Sequence, residues 1–194
     1  MKVLVVGCGG IGSWLVEHIN KAYYAEQIPF DVEIHIADFD SVDVKNVKYQ
    51  NFTSKEVMQN KADALLKRFD FIAKAIHKKV DKKSMGSYDC YLICVDNFKA
   101  RAEIIHHCHL KKKHFIDLRA EGRRVFAMSK SSDYEEDINT LDQKDKQSGS
   151  CQIPQEFVRN KIQYGNQIVA AVGIQMFLNY LRKEEGQNKI LLKI

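Results

Sequence analysis

The chain lacks a run of about 20 consecutive apolar residues, and this argues against a membrane-spanning helix. No basic leader or cleavage-type stretch precedes the KVLVV run at residues 2–6, so the expected location is the cytoplasm. No C-x-x-C pair occurs among Cys8, Cys90, Cys94, Cys108 and Cys151. The odd count and irregular spacing suit reduced thiols and speak against both a disulfide framework and a four-cysteine zinc site. Basic residues do not form a stripe interleaved with aromatics. The net charge of +5 comes largely from local clusters such as HKKVDKK (77–83) and KKK (111–113), which read as solvated surface rather than a nucleic-acid footprint. No internal repeat is visible. At 194 residues the chain is long enough for one domain with a substantial core, and two domains would be crowded.

What is present alternates between strand-like and helix-like texture. KVLVV (2–6) is a short apolar run closed by glycine, the pattern of a buried parallel strand. Ile11, Leu15, Ile19 and Ala22 mark a helix over residues 11–26, and DVEIHIAD (31–38) a second strand. A second helix is expected over 54–75, with Leu65, Leu66 and Phe69 on its apolar side. YDCYLICV (88–95) reads as a strand, 97–113 as a helix, and HFIDLRAE (114–121) and RRVFAMS (123–129) as further strands. This order predicts an α/β fold, a doubly wound and largely parallel Rossmann-like sheet, in one domain over 1–194. The polar stretch 130–150 is expected to be a mobile loop. Residues 167–181 are apolar around nearly the whole helical circumference, so that terminal helix must be buried, and a homodimer interface is one way to do it.

Residues 7–12 read GCGGIG between the first strand and the first helix. Gly7, Gly9, Gly10 and Gly12 allow a sharp turn, close approach of backbone N–H groups to a phosphate, and tight helix–strand packing. That loop predicts a nucleotide site without choosing the nucleotide, since Asp38 at the end of the second strand could hold the ribose of NAD or ATP. The stretch Asp38-Phe39-Asp40-Ser41-Val42-Asp43-Val44-Lys45-Asn46-Val47-Lys48-Tyr49-Gln50 does discriminate. Its pattern is D-x-D-x-V-x-x-x-N-x-x-x-Q, a polar cluster for which a nicotinamide enzyme has no need.

Together with Lys61 and with Asp96-Asn97-Phe98 followed by Arg101, these motifs resemble the ThiF/MoeB/HesA family, the ubiquitin-activating-type adenylating enzymes. The resemblance covers residues 2 to about 120. It implies an adenylyltransferase that uses ATP and Mg²⁺ to activate the C-terminal carboxylate of a small ubiquitin-like protein or peptide. It further implies that Asp38 holds the ribose, that Asn46 and Gln50 position phosphates, that Lys61 compensates charge, and that Asp96 holds Mg²⁺; Asp40 joins the nucleotide-binding set. Taken singly, Lys61 is an exposed helical lysine and Asp96 a helix N-cap.

The family pattern N-x-x-R-Q has arginine where Tyr49 stands, and tyrosine brings no charge or bidentate fork. An arginine that many members carry before the first strand is expected to have no counterpart here. Arg119, Arg123 and Arg124 are candidate substitutes. Cys151, after the polar loop and ahead of a helix, is the candidate thiol acceptor of the activated carboxyl group. Cys90 and Cys94 read as core, Cys8 as a small filler, and HHCH (106–109) as a poor metal site because adjacent helical residues point apart. Two other readings are a catalytically weakened nucleotide-binding scaffold for protein recognition, and an NAD-dependent oxidoreductase.

Overall fold

Alternate residues of one short strand divide the core of the computed structural model, which describes residues 1–69, 73–81, 84–131, 133–139, 159 and 161–194. In β1 (Lys2–Val6), Val3 and Val5 face one apolar layer and Leu4 and Val6 the other. That is the period-two consequence of the pleat acting on an unbroken apolar run, and it places β1 in the middle of a sheet covered on both faces.

The sheet order is β3-β2-β1-β4-β5-β6-β7. β2 (Glu33–Ala37), β3 (Ala73–Ile76), β4 (Cys90–Ile93) and β5 (His114–Glu121) run parallel with β1, and β6 (Arg124–Ser129) and β7 (Lys189–Lys193) extend the sheet antiparallel. α1 (Gly12–Tyr24), α2 (Lys61–Phe69) and the last helix pack on the face lined by Val3 and Val5. α3 (Phe98–Leu110) covers the opposite face through Ile104, Ile105 and Cys108. This is the doubly wound α/β sheet that the strand–helix alternation predicts.

Three segments differ from expectation. The helix expected over 54–75 is a short 3-10 turn at Ser54–Glu56, then α2, then β3. Residues 73–76 read AKAI, with helix-forming alanine and lysine, yet they take parallel pairs from β2, Ile34 opposite Ala73 through Ala37 opposite Ile76. Partner hydrogen bonding overrides weak local propensity there. Within the polar stretch 130–150, Tyr134–Asn139 form α4, whose Asp137 carboxylate is fully buried; residues 140–150 of the expected mobile loop lie outside the described residues. β7 forms where the sequence pattern predicts no strand.

α5 (Gly165–Arg182) is buried much as its composition demands, and within one chain. Val169, Ala170 and Phe177 join the core, and only Ala171 and Gln175 are exposed before its end. Gly173 sets the spacing: a Cβ there would lie 2.4 Å from Leu118 Cδ1 on β5. Among the described residues no helix is long and apolar enough to cross a membrane.

Candidate functional site

The loop that leaves β1 is held open by its neighbours. Gly7 turns the chain at φ 90° and donates its N–H to Ala37 O at 2.9 Å. Cys8 N–H donates to Asp38 Oδ2 at 2.6 Å, and Asp40 N–H donates to Asp38 Oδ1 at 2.8 Å. Both oxygens of one buried carboxylate therefore brace the glycine loop against the turn after β2. Burial raises the pKa of Asp38 above the usual carboxylate value, although those two N–H bonds and the nearby Lys61 pull the other way.

Gly12 lies beneath the loop, where a Cβ would sit 1.8 Å from Gly7 O, whereas a Cβ on Gly9 would meet nothing within 4 Å. The first N–H groups of a helix have no intrahelical acceptor, so the start of α1 is ready for an anion. The Ser13 hydroxyl donates to Gly9 O at 2.7 Å and accepts from Asn51 N–H at 3.0 Å. Through Ser13 the segment that carries Tyr49 and Gln50 is fastened to the first turn of α1.

The space above this loop is a cleft of about 440 Å³ at the carboxyl ends of β1, β2 and β4, where ligands bind in open parallel sheets. Of the residues singled out from the sequence, Gly7, Gly9, Gly10, Asp38, Asp40, Gln50, Lys61 and Asp96 line it; Gly12 and Asn46 do not. Asn46 Oδ1 accepts from Asp43 N–H at 2.8 Å, while the Asp43 side chain accepts from Lys45 N–H at 2.9 Å. This reciprocal cap holds the 3-10 turn Val44–Lys48. Asn46 O then accepts from Gln50 N–H at 2.8 Å, so Asn46 shapes the site by placing Gln50 rather than by reaching it.

Lys61, at the head of α2, is 92% buried, not an exposed helical lysine. Its Nζ is 3.4 Å from Asp40 Oδ2, and its N–H donates to Asp40 O at 3.0 Å. The neighbouring Asn60, which belongs to neither sequence motif, joins the two. Its Nδ2 donates to Asp38 O and Asp40 O at 3.0 and 3.2 Å, and its Oδ1 accepts from Ala62 N–H at 2.9 Å. A polar amide directly before an apolar-periodic helix is a legible N-cap signal. Gln50 is 92% buried, with Oε1 unpartnered, while its Nε2 donates to the Tyr49 hydroxyl at 3.3 Å. A buried amide oxygen without a donor, on the wall of a polar cleft, points to a bound polar group.

Asp96 is exposed at the cleft mouth, and capping of α3 falls to Asn97, whose Oδ1 accepts from Ala100 N–H at 2.9 Å. The Asp96 carboxylate is thus left to face the cleft. Its loop is braced from below: Arg101 donates to Val95 O and, through Nε, to Asp117 Oδ1 at 2.8 Å. Asp117 is fully buried, and its other oxygen takes Arg119 Nε at 2.7 Å. Arg119 is therefore committed to Asp117 and to the Phe126 ring, 4.7 Å away. Neither it nor Arg123 nor Arg124 lines the cleft; among the described residues the lysines that do, besides Lys61, are Lys78 and Lys79 after β3.

Among the described residues no three histidine, cysteine or acidic side chains gather as a metal cage. His106 meets the Tyr134 hydroxyl at 3.1 Å, and His109 meets Asp137 Oδ2 at 2.7 Å, so the HHCH run docks α4. A single carboxylate such as Asp96 nonetheless suits Mg²⁺, which keeps waters and takes its remaining ligands from substrate phosphates. Cys8, Cys90, Cys94 and Cys108 are buried; burial pushes the Cys8 thiol well above its ordinary pKa and Cys108 up to about 12, which makes them poor nucleophiles. Cys151 lies outside the described residues.

The model of the ThiF family matches residues 1–193. The SUMO-activating enzyme subunit uba-2 of Caenorhabditis elegans is 27% identical over 132 residues, which are 62% of this chain and 22% of that protein. Among solved structures, Escherichia coli MccB with ATP superposes with a TM-score of 0.71 at 18% identity, over all of this chain and 60% of that one. The E. coli tRNA N6-threonylcarbamoyladenosine dehydratase TcdA, in complex with AMP, gives 0.68 at 17% identity, over 94% and 86%. At such identities the structural likeness speaks for the fold. The chain spans about a fifth of the length of the first of these relatives and three fifths of the second.

Proposed function

The chain belongs to the ThiF family, and from that premise we propose that it binds MgATP and adenylates the C-terminal carboxylate of a small ubiquitin-like protein or peptide. The observation that carries the proposal is the meeting of Asp38, Gln50, Lys61 and Asp96 with the glycine loop around one cleft. Relatives in the comparison include a SUMO-activating subunit and MccB, the latter also seen with AMPCPP and MccA.

In this reading the attacking carboxylate oxygen bonds to the α-phosphorus as the bond from that phosphorus to the bridging oxygen breaks. Pyrophosphate carries the electron pair away, leaving an acyl-adenylate. Two anions must meet, so the work of the protein is to neutralise and orient. Asp38 accepts from ribose hydroxyls with the lone pairs its two N–H contacts leave unused. The amides of Gly9 and Gly10 approach the phosphates over the start of α1. Lys61, held by Asp40, supplies positive charge, and Gln50 offers an amide. Asp96 is the residue that would hold Mg²⁺, whose chemistry there is to neutralise phosphate oxygens on the leaving group.

Cys151 is the proposed acceptor if the acyl group moves on to a thiol. Cytoplasmic residence belongs to the same reading. So does a homodimer; because α5 is covered within the chain, a second copy would use its half-buried rim or another surface, and sedimentation velocity measures it.

Calorimetry of the full chain with MgATP and with NAD is the first test; preference for NAD returns the oxidoreductase reading. Pyrophosphate exchange into ATP, driven by a candidate ubiquitin-like protein or peptide, is the second. Exchange abolished by Asp96→Ala supports adenylation. ATP binding without exchange favours the recognition scaffold, which the uncharged Tyr49 on the cleft wall already supports.

A further inference from the structure

Among the described residues, the walls of the cleft carry three carboxylates, Asp38, Asp40 and Asp96, and three lysines, Lys61, Lys78 and Lys79. Lys61 lies 3.4 Å from Asp40 Oδ2, so part of its charge is already answered. Without the other two lysines these described residues would carry more negative than positive charge, a poor lining for a polyphosphate. Lys78 and Lys79 are exposed, and neither has an ion-pair partner among the described residues. Their backbone is nonetheless anchored. Val80, which follows them, is buried in the apolar layer with Leu4 and Val6, and the Ser84 hydroxyl donates to Lys79 O at 2.7 Å. The segment therefore holds two mobile cations at the rim of the cleft, on long stems that can follow an anion.

We propose that Lys78 and Lys79 are nucleotide-binding residues that supply the cleft's uncommitted positive charge to the phosphates of a bound nucleotide. The inference rests on the nucleotide reading of the cleft and adds to it the source of charge that neither Tyr49 nor Arg119 provides. A lysine–phosphate contact is a charge-assisted hydrogen bond, so losing the pair weakens ATP binding by about tenfold to a hundredfold.

The test is calorimetric titration of the full chain with ATP and with adenosine, in the parent, in Lys78→Ala/Lys79→Ala and in the charge-preserving Lys78→Arg/Lys79→Arg. The expected result is ATP affinity lost in the alanine pair and retained in the arginine pair, with adenosine affinity unchanged throughout. ATP affinity that survives the alanine pair overturns the inference. So does an equal loss for ATP and adenosine, because that pattern would mean contact with the base or damage to the fold. A parent chain that binds no adenine nucleotide at all would sink the proposed function itself, which separates the two failures.

Discussion

Two glycines three residues apart in the same loop should fail in different ways when each receives a methyl group. In Gly12→Ala the new Cβ would lie 1.8 Å from Gly7 O and 2.9 Å from Gly7 C, both backbone atoms. Ordinary contact begins near 3.4 Å, so the loop would have to retreat by roughly 1.6 Å. It is not free to do so: Gly7 N–H is bonded to Ala37 O and Cys8 N–H to Asp38 Oδ2. Overpacking costs about 1–3 kcal/mol, and a contact this short against backbone belongs at the upper end of that range, while the better helix propensity of alanine returns at most about 1 kcal/mol. A net loss of about 2 kcal/mol lowers the melting temperature of a domain this size by about 4–8 °C. Gly9→Ala meets nothing within 4 Å, so stability should stay within about 0.5 kcal/mol of the parent. Its methyl group, however, would stand where the backbone should approach a phosphate, and ATP affinity should fall by about tenfold or more. Thermal unfolding and ATP titration of both variants read the two effects separately. A Gly12→Ala chain that melts with the parent, or a Gly9→Ala chain that binds ATP normally, would refute the division of labour argued for this loop.

Other expectations follow from the same geometry. Asp117→Asn keeps the shape but leaves Arg101 and Arg119 beside a neutral amide; breaking a buried pair in this way costs about 3–5 kcal/mol, which urea denaturation would measure, and a smaller loss would mean that the two guanidinium groups find other partners. Asn60→Ala removes the α2 cap and two bonds to the Asp38–Asp40 turn, so a loss of about 1 kcal/mol or more should accompany weaker ATP binding; normal binding would show that Lys61 and Asp40 hold their places unaided. His114 is stacked on Tyr180 at 3.9 Å, and burial lowers its pKa to about 4 from an ordinary 6.5. The unfolded chain therefore binds more protons between those values, so stability is full above pH 6.5 and falls as pH drops toward 4, by about 3 kcal/mol in total. His114→Phe should flatten that part of the stability–pH curve, and an unchanged slope would acquit His114.

Legibility in the sequence followed burial. KVLVV was readable as a strand because an interior strand needs continuous apolar surface, and HFIDLRAE because apolar and polar residues alternate from Ile116 onward; the observed bounds of both agree residue for residue. AKAI and KILLK lie at the two edges of the sheet, where one side has no neighbour and exposed or half-buried positions dominate. Nothing local separates such segments from helix or coil; the neighbouring strand decides. The site divides similarly. The glycine loop and the acids after β2 were visible because each is contiguous. Lys78 and Lys79 enter the cleft only through the path the chain takes after β3, and a misread helix over 54–75 hides that path. Asn46 was legible as important but not in its role, since Asp43 and Asn46 satisfy one another locally.

This distinction bears on what a motif means. Asp38 spends each carboxylate oxygen on a backbone N–H before any ligand arrives, and Gly12, Asn46 and Asn60 contribute wholly or partly by building the walls. Gly9, Gln50, Lys78, Lys79 and Asp96 retain unused capacity: open space, an unpartnered oxygen, uncommitted charge. A substitution in the first group disturbs the loop and the ligand together, so its loss of activity says little about contact. The second group can be altered with the fold left standing. Chemistry at this cleft is therefore best assigned from the residues whose bonds are incomplete in the folded chain.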